Sequence, residues 1–444
     1  MMLLQGNIFS IKLNQCPNLM AVLFAIIVMS TILSLVPYYR NEIIIFVPIS
    51  VLILTSFFLL TTKNLLRTKI FMWSKTEMFL PVLVLAFSGI VSIINAFDIV
   101  LSLRSIFLCV IVPSIFYFLV VSEIKTIEGT KRAVLYVSVV AFFTALISLY
   151  RIYMETGFTT DMEILRYYAR AHVGGLFHST NIYAAFGILV LPIVFCMAFF
   201  KPDQNFFIRL FLELCFLVII LTIFATFSRM AWIACIFSLF VVLILYRRIG
   251  LVLVSLLVLI LVSVYFFNTS IFAKFRGSQA VSDLFRVEIY KTSVDLAMRH
   301  PIVGVGIGNF EIASNYLAPT AHNSILGSVA ERGILGLFGF VFFVYRSLKI
   351  GITSYRSSVS NDSRLISLGL LLGVSNTIIY SLTTGCGFEI YENDITGILL
   401  FWGFLGLLEG NKNINGSRRI RGVNSKMLRS SKVMKPGVLT PRTG

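Results

Sequence analysis

Charged residues are scarce in this sequence. Asp, Glu, Lys and Arg make up 13% of its 444 residues, whereas a soluble domain carries about 25%. Because 58% of the residues are hydrophobic, too few polar groups remain to cover a soluble core. This shortage excludes a single soluble enzyme, a disordered chain and a fibrous repeat. It predicts an all-α protein that crosses a membrane many times, with lipid in place of the polar shell.

Cysteine pairs with metal-ligand spacing are missing as well. The six cysteines contain no CxxC, and they are Cys16, Cys109, Cys196, Cys215, Cys235 and Cys386. Four of them lie inside apolar runs, where a free thiol behaves as a small hydrophobe. Neither a disulfide framework nor a zinc site can be read from these positions. The sequence therefore predicts no metal site and no cofactor.

Twelve apolar runs are long enough to cross a membrane as helices, for which about 20 residues are needed. The predicted spans lie near 19–37, 43–61, 79–97, 99–121, 133–150, 181–200, 206–226, 229–246, 249–267, 333–350, 365–383 and 394–409. The first is too long for a signal peptide, and no small-residue cleavage site follows it. We therefore interpret it as a helix.

The formal net charge is +17. The positions of the Lys and Arg residues along the chain are typical of a membrane topology signal and not of nucleic-acid binding. With the N-terminus inside, 25 Lys and Arg fall in inner segments and 11 in outer segments. This split predicts that both termini are cytoplasmic and that 151–180 and 268–332 lie outside. Residues 1–410 form the predicted membrane domain. Residues 411–444, with nine cations and no acid, are predicted to be a disordered cytoplasmic tail.

Ionisable residues are rare inside the predicted spans. Transport pathways usually place such groups in mid-membrane, and no span here carries a chain of acids or a pair of broken segments. Arg104 lies about five residues, or ~8 Å, into its span. Its side chain either snorkels outward or faces an outward-opening cavity. The interior chemistry therefore disfavours a transporter.

The first outer segment is cationic and ends at a helix start. It contains Arg166, Arg170, His172 and His178, and a helix cap is expected from Ser179, Thr180 or Asn181. One interpretation is a binding site for an anion at the membrane surface, with Arg170 as the favoured ligand. The alternative is a loop whose arginines bind lipid phosphates.

The second outer segment predicts an amphipathic helix that starts at Ser282 or Asp283 and ends at His300–Pro301. Arg286 lies on its first turn. The following GVGIGNF run is not a nucleotide loop, because it lacks GK[ST] and any βαβ pattern. A tight backbone turn is the better interpretation.

His322 stands just before a helix that Asn323 or Ser324 is expected to cap. The positive end of the helix dipole should keep its imidazole neutral and able to accept a proton. Glu331 and Arg332 close this short helix, and Gly333 is expected to let the chain bend into the next span. A lone histidine is more often structural than catalytic. Its outer position beside cations, without zinc-ligand spacing, makes catalysis an equal alternative.

Arg229 lies in a short outer gap between two apolar runs. Its neighbours on both sides are apolar, so its side chain lies near the membrane surface. It either snorkels at the interface or contributes to an anion site.

These motifs resemble those of the O-antigen ligase and polymerase superfamily, whose members are polytopic bacterial glycosyltransferases. The most specific match is the HN…L…E-x-G signature, seen at His322, Asn323, Leu326, Glu331, Gly333 and Gly336. An arginine followed by HP and G-x-G matches Arg286, His300, Pro301, Gly304 and Gly306. Weaker matches are Ser228–Arg229 and the run with Arg170, Gly175, Phe177 and Asn181. One departure is HSTN at 178–181, where the family often has Asn-Pro-Asn.

The resemblance implies a reaction at the periplasmic face of the bacterial inner membrane. The donor would be a glycan on undecaprenyl diphosphate, with Arg170, Arg229 and Arg286 binding the diphosphate. His322 would act as general base on an acceptor sugar hydroxyl, with Asn181, Asn323 and Glu331 in supporting roles. In-line attack would invert the anomeric carbon, and neither a metal nor ATP would be needed.

The acceptor separates the remaining alternatives. A ligase passes the glycan to lipid A–core, whereas a polymerase passes it to another lipid-linked repeat unit. The twelve-span layout and the single long histidine-bearing loop favour the ligase. A transporter for lipid-linked glycan is the alternative from another class, and nucleic acid is not an expected partner.

Overall fold

The computed structural model describes residues 76–157, 180–201, 204–248, 250, 270–384 and 395–433. Within these ranges the secondary structure is helical, and no described residue lies in a β-strand. The helices are α1 (Phe79–Ser92), α2 (Ile99–Glu123), α3 (Ile127–Thr156), α4 (Thr180–Phe199), α5 (Phe206–Ala225), α6 (Arg229–Leu245), α7 (Ser270–Arg299), α8 (Phe310–Ala313), α9 (Ser324–Ser357), α10 (Asn361–Thr384) and α11 (Ile395–Val433). The all-α prediction is confirmed for the described residues.

Six described helices are long and apolar enough to cross a membrane: α2, α3, α4, α5, α9 and α10. Helix α1 with its 3-10 extension, and helix α6, are shorter apolar helices. Nine of the twelve predicted spans coincide with described helices. The spans predicted near 19–37, 43–61 and 249–267 lie outside the described residues, apart from Gly250. The total of twelve therefore stays a prediction.

Side-chain caps set several of the helix starts. Asp98 accepts a hydrogen bond from the Leu101 amide at 3.0 Å, and Asn205 accepts one from the Phe207 amide at 2.9 Å. Each bond satisfies an amide that has no partner within its own helix. Short polar residues between apolar runs thus mark the helix boundaries.

The core of the bundle lies around α4 and α10, which pack against each other and are largely buried. Helix α10 also packs against α6, α9 and α11, while α5 contacts α3 and α4 and leaves most of its apolar surface exposed. An exposed apolar surface of this kind fits contact with lipid. Because α10 touches so many neighbours, its last turn meets residues from distant parts of the chain.

Helix α9 is kinked at Gly333, where the backbone takes φ 62° and ψ −158°. The loop after α7 packs into this kink, and the amides of Val305 and Gly306 donate to the carbonyls of Ala330 and Glu331, both at 3.0 Å. A Cβ at Gly333 would lie 2.2 Å from the Ile302 carbonyl oxygen, so no larger residue fits. The predicted bend at Gly333 is confirmed.

The GVGIGNF loop is a tight backbone turn that is anchored to α2. Asn309 is fully buried, and its side-chain amide donates to the Ser102 hydroxyl at 2.8 Å while its oxygen accepts from the Asp98 amide at 2.6 Å. The loop therefore fastens the outer segment to the bundle, as a structural turn rather than a nucleotide site.

Two boundary predictions need correction. Helix α7 begins at Ser270, so neither Ser282 nor Asp283 caps it, although it ends before His300 as predicted. The expected cap was wrong because the helix starts earlier in the chain. Asp283 lies inside it, and its carboxylate forms an ion pair with Arg229 of α6.

The tail predicted to be disordered from residue 411 is helical as far as Val433. Asn411 and Asn415 are buried, and their amides donate to the hydroxyls of Ser367 and Ser363, both at 2.7 Å. These hydrogen bonds to α10 stabilise the helical turns around Asn411 and Asn415, although the amino-acid composition of this segment alone favours disorder.

Candidate functional site

The start of α9 contacts the C-terminal end of α10 and the middle of α7. Helix α7 in turn contacts the start of α6, and α10 contacts the starts of α4 and α6. The contacts that join them are hydrogen bonds and one ion pair between residues far apart in sequence. Most of the residues predicted to carry chemistry lie on these elements.

The His322 backbone takes a left-handed conformation with φ 51°. Few residues other than glycine adopt this region, although histidine, Asn and Asp do so more often than most. The Tyr290 hydroxyl of α7 donates to the His322 carbonyl oxygen at 3.5 Å. Asn323 then caps α9 by accepting from the amides of Ile325 and Leu326 at 2.9 and 3.1 Å.

The imidazole is held by the end of α10. Its Nδ1 lies 3.2 Å from the carbonyl oxygen of Thr384, the last residue of that helix. A carbonyl only accepts, so Nδ1 carries the proton in this hydrogen bond. In the neutral ring Nε2 is then unprotonated, with a lone pair that can accept a proton.

The environment of His322 favours its neutral form. Burial lowers the pKa of the imidazole below its ordinary value, the charge of Arg286 lowers it further, and the hydrogen bond to Thr384 opposes both. The predicted direction is confirmed. The main cause is burial, whereas the sequence pointed to the helix dipole.

Arg229 contacts α7 through one acidic residue. The Arg229 Nη2 atom lies 2.7 Å from the Asp283 carboxylate, and Asp283 precedes Arg286 by three residues on α7. Residues three apart on a helix are neighbours on its surface. Asp283 and Arg286 are therefore neighbours on α7, and the charge of Arg286 lowers the pKa of His322.

A buried tyrosine joins the starts of α4 and α6. The Tyr380 hydroxyl lies 3.1 Å from the Ser228 hydroxyl and donates to the Asn181 side-chain oxygen at 3.4 Å. Tyr380 lies one turn before Thr384 on α10, so the same helix end positions both Asn181 and His322.

The remaining predicted residues divide into two groups. Glu331 is buried beside the kink, where its backbone carbonyl receives the Gly306 amide. Arg170, with Arg166, His172 and His178, lies outside the described residues. Arg170 therefore stays a prediction. The structure links Arg229 to α7 through Asp283 and links His322 to α7 through Tyr290, whereas the roles of His322, Arg229 and Arg286 stay predictions.

Sequence reasoning missed Tyr290, Tyr380 and Thr384. Tyr290 follows Arg286 by four residues, and that spacing alone could have placed it on the same helix face. The residues of α10 gave no local signal, because their contacts to the site span 62 residues for Thr384 and 199 for Tyr380.

The arrangement is a cationic site beside a neutral base. Across the described ranges, no group of three or more His, Cys, Asp and Glu side chains lies close enough to hold a metal ion. The donors present are guanidinium groups, hydroxyls and one imidazole. Their chemistry suits an anionic substrate and removal of a proton from a hydroxyl.

These features define a helical membrane protein with a cationic, histidine-containing site at one end of its bundle. Residues 214–341 match the family model described as O-antigen ligase. The match confirms the resemblance to the O-antigen ligase superfamily, and it supports a membrane glycosyltransferase of the ligase or polymerase type. The matched segment contains Arg229, Arg286 and His322, whereas Asn181 and Arg170 precede it. No curated protein matches the chain in a sequence search.

Proposed function

We propose that this protein transfers a glycan from undecaprenyl diphosphate to a sugar hydroxyl of lipid A–core, as an inverting glycosyltransferase. Arg229, Arg286 and Arg170 bind the diphosphate, and His322 acts as general base. The reaction takes place at the periplasmic face of the bacterial inner membrane, with both termini of the chain in the cytoplasm.

One observation carries the proposal. Helix α7 contacts the His322 carbonyl through Tyr290 and contacts Arg229 through Asp283, and Arg286 lies between these two positions on the same helix face. Two cations and a neutral base along one helix are what the transfer needs, because the donor leaves as a diphosphate and the acceptor must lose a proton. The segment that matches the O-antigen ligase family contains all three residues.

The chemistry of the step follows from these groups. The acceptor hydroxyl gives its proton to His322 Nε2 while its oxygen bonds to the anomeric carbon of the donor. The bond from that carbon to the diphosphate oxygen breaks on the opposite face, so the configuration inverts. Guanidinium groups form paired hydrogen bonds to phosphate oxygens and stabilise the charge that develops there.

The free energy for transfer comes from the donor bond. Purified protein should therefore react with donor and acceptor in a chelator and without ATP. The arginines take the role that a divalent cation has when it neutralises a diphosphate. Activity that required added metal or ATP would contradict this mechanism.

The acceptor is tested by the lipopolysaccharide pattern of a strain lacking the protein. A ligase defect leaves unmodified core while polymer accumulates on the carrier lipid, which is the outcome we expect. Core carrying a single repeat unit would instead identify a polymerase. A wild-type pattern would contradict both.

A further inference from the structure

Three polar residues of α7 lie on one face of the helix, at positions 283, 286 and 290. Spacings of three and four residues place side chains next to each other along a helix surface. Asp283 binds Arg229, the charge of Arg286 acts on His322, and the Tyr290 hydroxyl contacts the His322 carbonyl. Two of these residues act on the proposed base, and Asp283 acts on an arginine from another helix.

The pair between Arg229 and Asp283 contributes little to folding. The two side chains are 45% and 47% exposed, and ion pairs this accessible to solvent stabilise proteins only slightly. The pair joins residues 54 positions apart, at the point where α6 begins and α7 passes it. The pair acts on geometry instead, because the hydrogen bond to Asp283 orients the Arg229 guanidinium group.

The pair leaves Arg229 able to bind an anion. Only Nη2 contacts Asp283, and a guanidinium carries five N–H donors in a rigid plane. Arg286 is three residues further along α7, so Asp283 also supplies a negative charge next to Arg286 on the helix surface. Asp283 thus both orients Arg229 and permits the two arginines to share one site.

We propose that Asp283 is a positioning residue, which holds the Arg229 guanidinium beside Arg286 in the orientation that binds the donor diphosphate. This inference rests on the proposed function. In this proposal one face of α7 has two tasks. Tyr290 and Arg286 act on the base His322, and Asp283 orients an arginine that binds the diphosphate.

The test compares two substitutions that separate geometry from charge. Asp283→Glu keeps the charge and moves the carboxylate by one methylene, and Asp283→Asn removes the charge. Asp295→Asn is the matched control, because Asp295 lies on the same helix, is also 47% exposed and pairs with Arg299. Glycan transfer by purified protein and binding of undecaprenyl diphosphate in lipid nanodiscs are measured for each.

Both Asp283 variants should lower turnover by about 10- to 100-fold, because displacing a binding group by about 1 Å has effects of that size. The thermal midpoint should not change. Undecaprenyl diphosphate should bind more weakly to Asp283→Glu. Its affinity should change little in Asp283→Asn, where lost orientation and lost repulsion oppose each other. The Asp295→Asn control should match the wild type in every measurement.

Three outcomes would overturn the inference in distinct ways. Wild-type turnover in Asp283→Glu would show that the carboxylate is only a counter-charge. Faster turnover with tighter binding in Asp283→Asn would show that Asp283 competes with the donor for Arg229. If the wild-type protein itself fails to bind undecaprenyl diphosphate, the proposed function fails together with the inference.

Discussion

Arg229 and Arg346 are both paired with acidic residues, in two regions of the bundle that are built differently. Near His322, Arg229 meets one carboxylate and is 45% exposed. Further along α9, beyond the kink at Gly333, Arg346 donates two hydrogen bonds to the Glu77 carbonyl, at 3.2 and 3.0 Å.

The cluster around Arg346 is enclosed by its own partners. Lys412 forms an ion pair with the Glu77 carboxylate, and the Glu77 amide donates to the Glu409 carboxylate at 3.0 Å. Glu409 is buried and also accepts from the Tyr117 hydroxyl. These contacts join the segment just before α1 to α2, α9 and α11.

The difference distinguishes the structural cluster around Arg346 from the candidate binding site around His322. In the cluster around Arg346, donors and acceptors from α2, α9 and α11 and from Glu77 bind one another. Around His322, a half-exposed guanidinium and a ring nitrogen still have capacity to bind. Substitutions in the cluster around Arg346 should change the free energy of unfolding, and substitutions around His322 should change turnover.

The largest expected effect is that of His322→Ala. Loss of a general base costs about 10²- to 10⁴-fold in rate, which would remove a polymer ladder from a gel while protein level and membrane insertion stay the same. His322→Gln should behave alike, because glutamine takes up no proton at neutral pH. His300→Ala, a histidine just beyond the end of α7, is the matched control and should retain activity.

Normal turnover in both His322 variants would show that the imidazole has a structural task. Catalysis would then have to be assigned to Glu331 or to His172 or His178 of the first outer segment.

The next largest effect should be that of Glu409→Ala. It removes the acceptor for the buried Tyr117 hydroxyl, and an unsatisfied buried donor costs about 1–3 kcal/mol of folding free energy. Thermal unfolding in detergent measures this loss, and Glu409→Gln should lose less because its amide oxygen still accepts. Turnover per folded molecule should not change, and a specific loss of turnover would contradict the contrast between the two regions.

A smaller effect is expected on the pH dependence of transfer. His322 must be neutral to act as a base, and burial and Arg286 both lower its pKa. Activity should therefore persist below the ordinary histidine pKa of about 6.5, and fall only at more acidic pH. Arg286→Gln removes one lowering charge, so the acidic limb of the pH–rate profile should move upward toward 6.5.

The charge-preserving variant sharpens this test. Arg286→Lys keeps the positive charge, so the acidic limb should stay in place, although turnover should fall because a lysine cannot form the paired hydrogen bonds of a guanidinium. An upward shift of equal size in both variants would show that the charge of Arg286 does not act on His322.

The smallest effect is expected for Asn323→Ala. Asn323 caps α9 through the amides of Ile325 and Leu326, and loss of such a cap costs about 1 kcal/mol. A small decrease in the thermal midpoint would measure it. A midpoint equal to the wild type would mean that the kink at Gly333 and the loop packed into it hold the turn without the cap.

Several features of the site could be predicted because they depend on neighbouring residues. Asn323 as a cap, the bend at Gly333 and the end of α7 before His300–Pro301 each follow from residue types at fixed local spacing, and the structure confirms them. Asp283 failed as a predicted cap, because an acidic residue before an apolar run has the same local appearance as one that pairs with a distant arginine.

The sequence by itself determined that this is a helical membrane protein with cations near a histidine, since composition, apolar run length and motif spacing are all properties of short segments. Only the tertiary structure decided which cations approach that histidine and which nitrogen keeps its proton. The contacts responsible join residues 54 and 62 positions apart, through Arg229 with Asp283 and His322 with Thr384. Such pairs form when helices that are distant in sequence pack, as α7 does against α9 and α6 does against α10. Packing over that separation leaves no periodic signal in the chain.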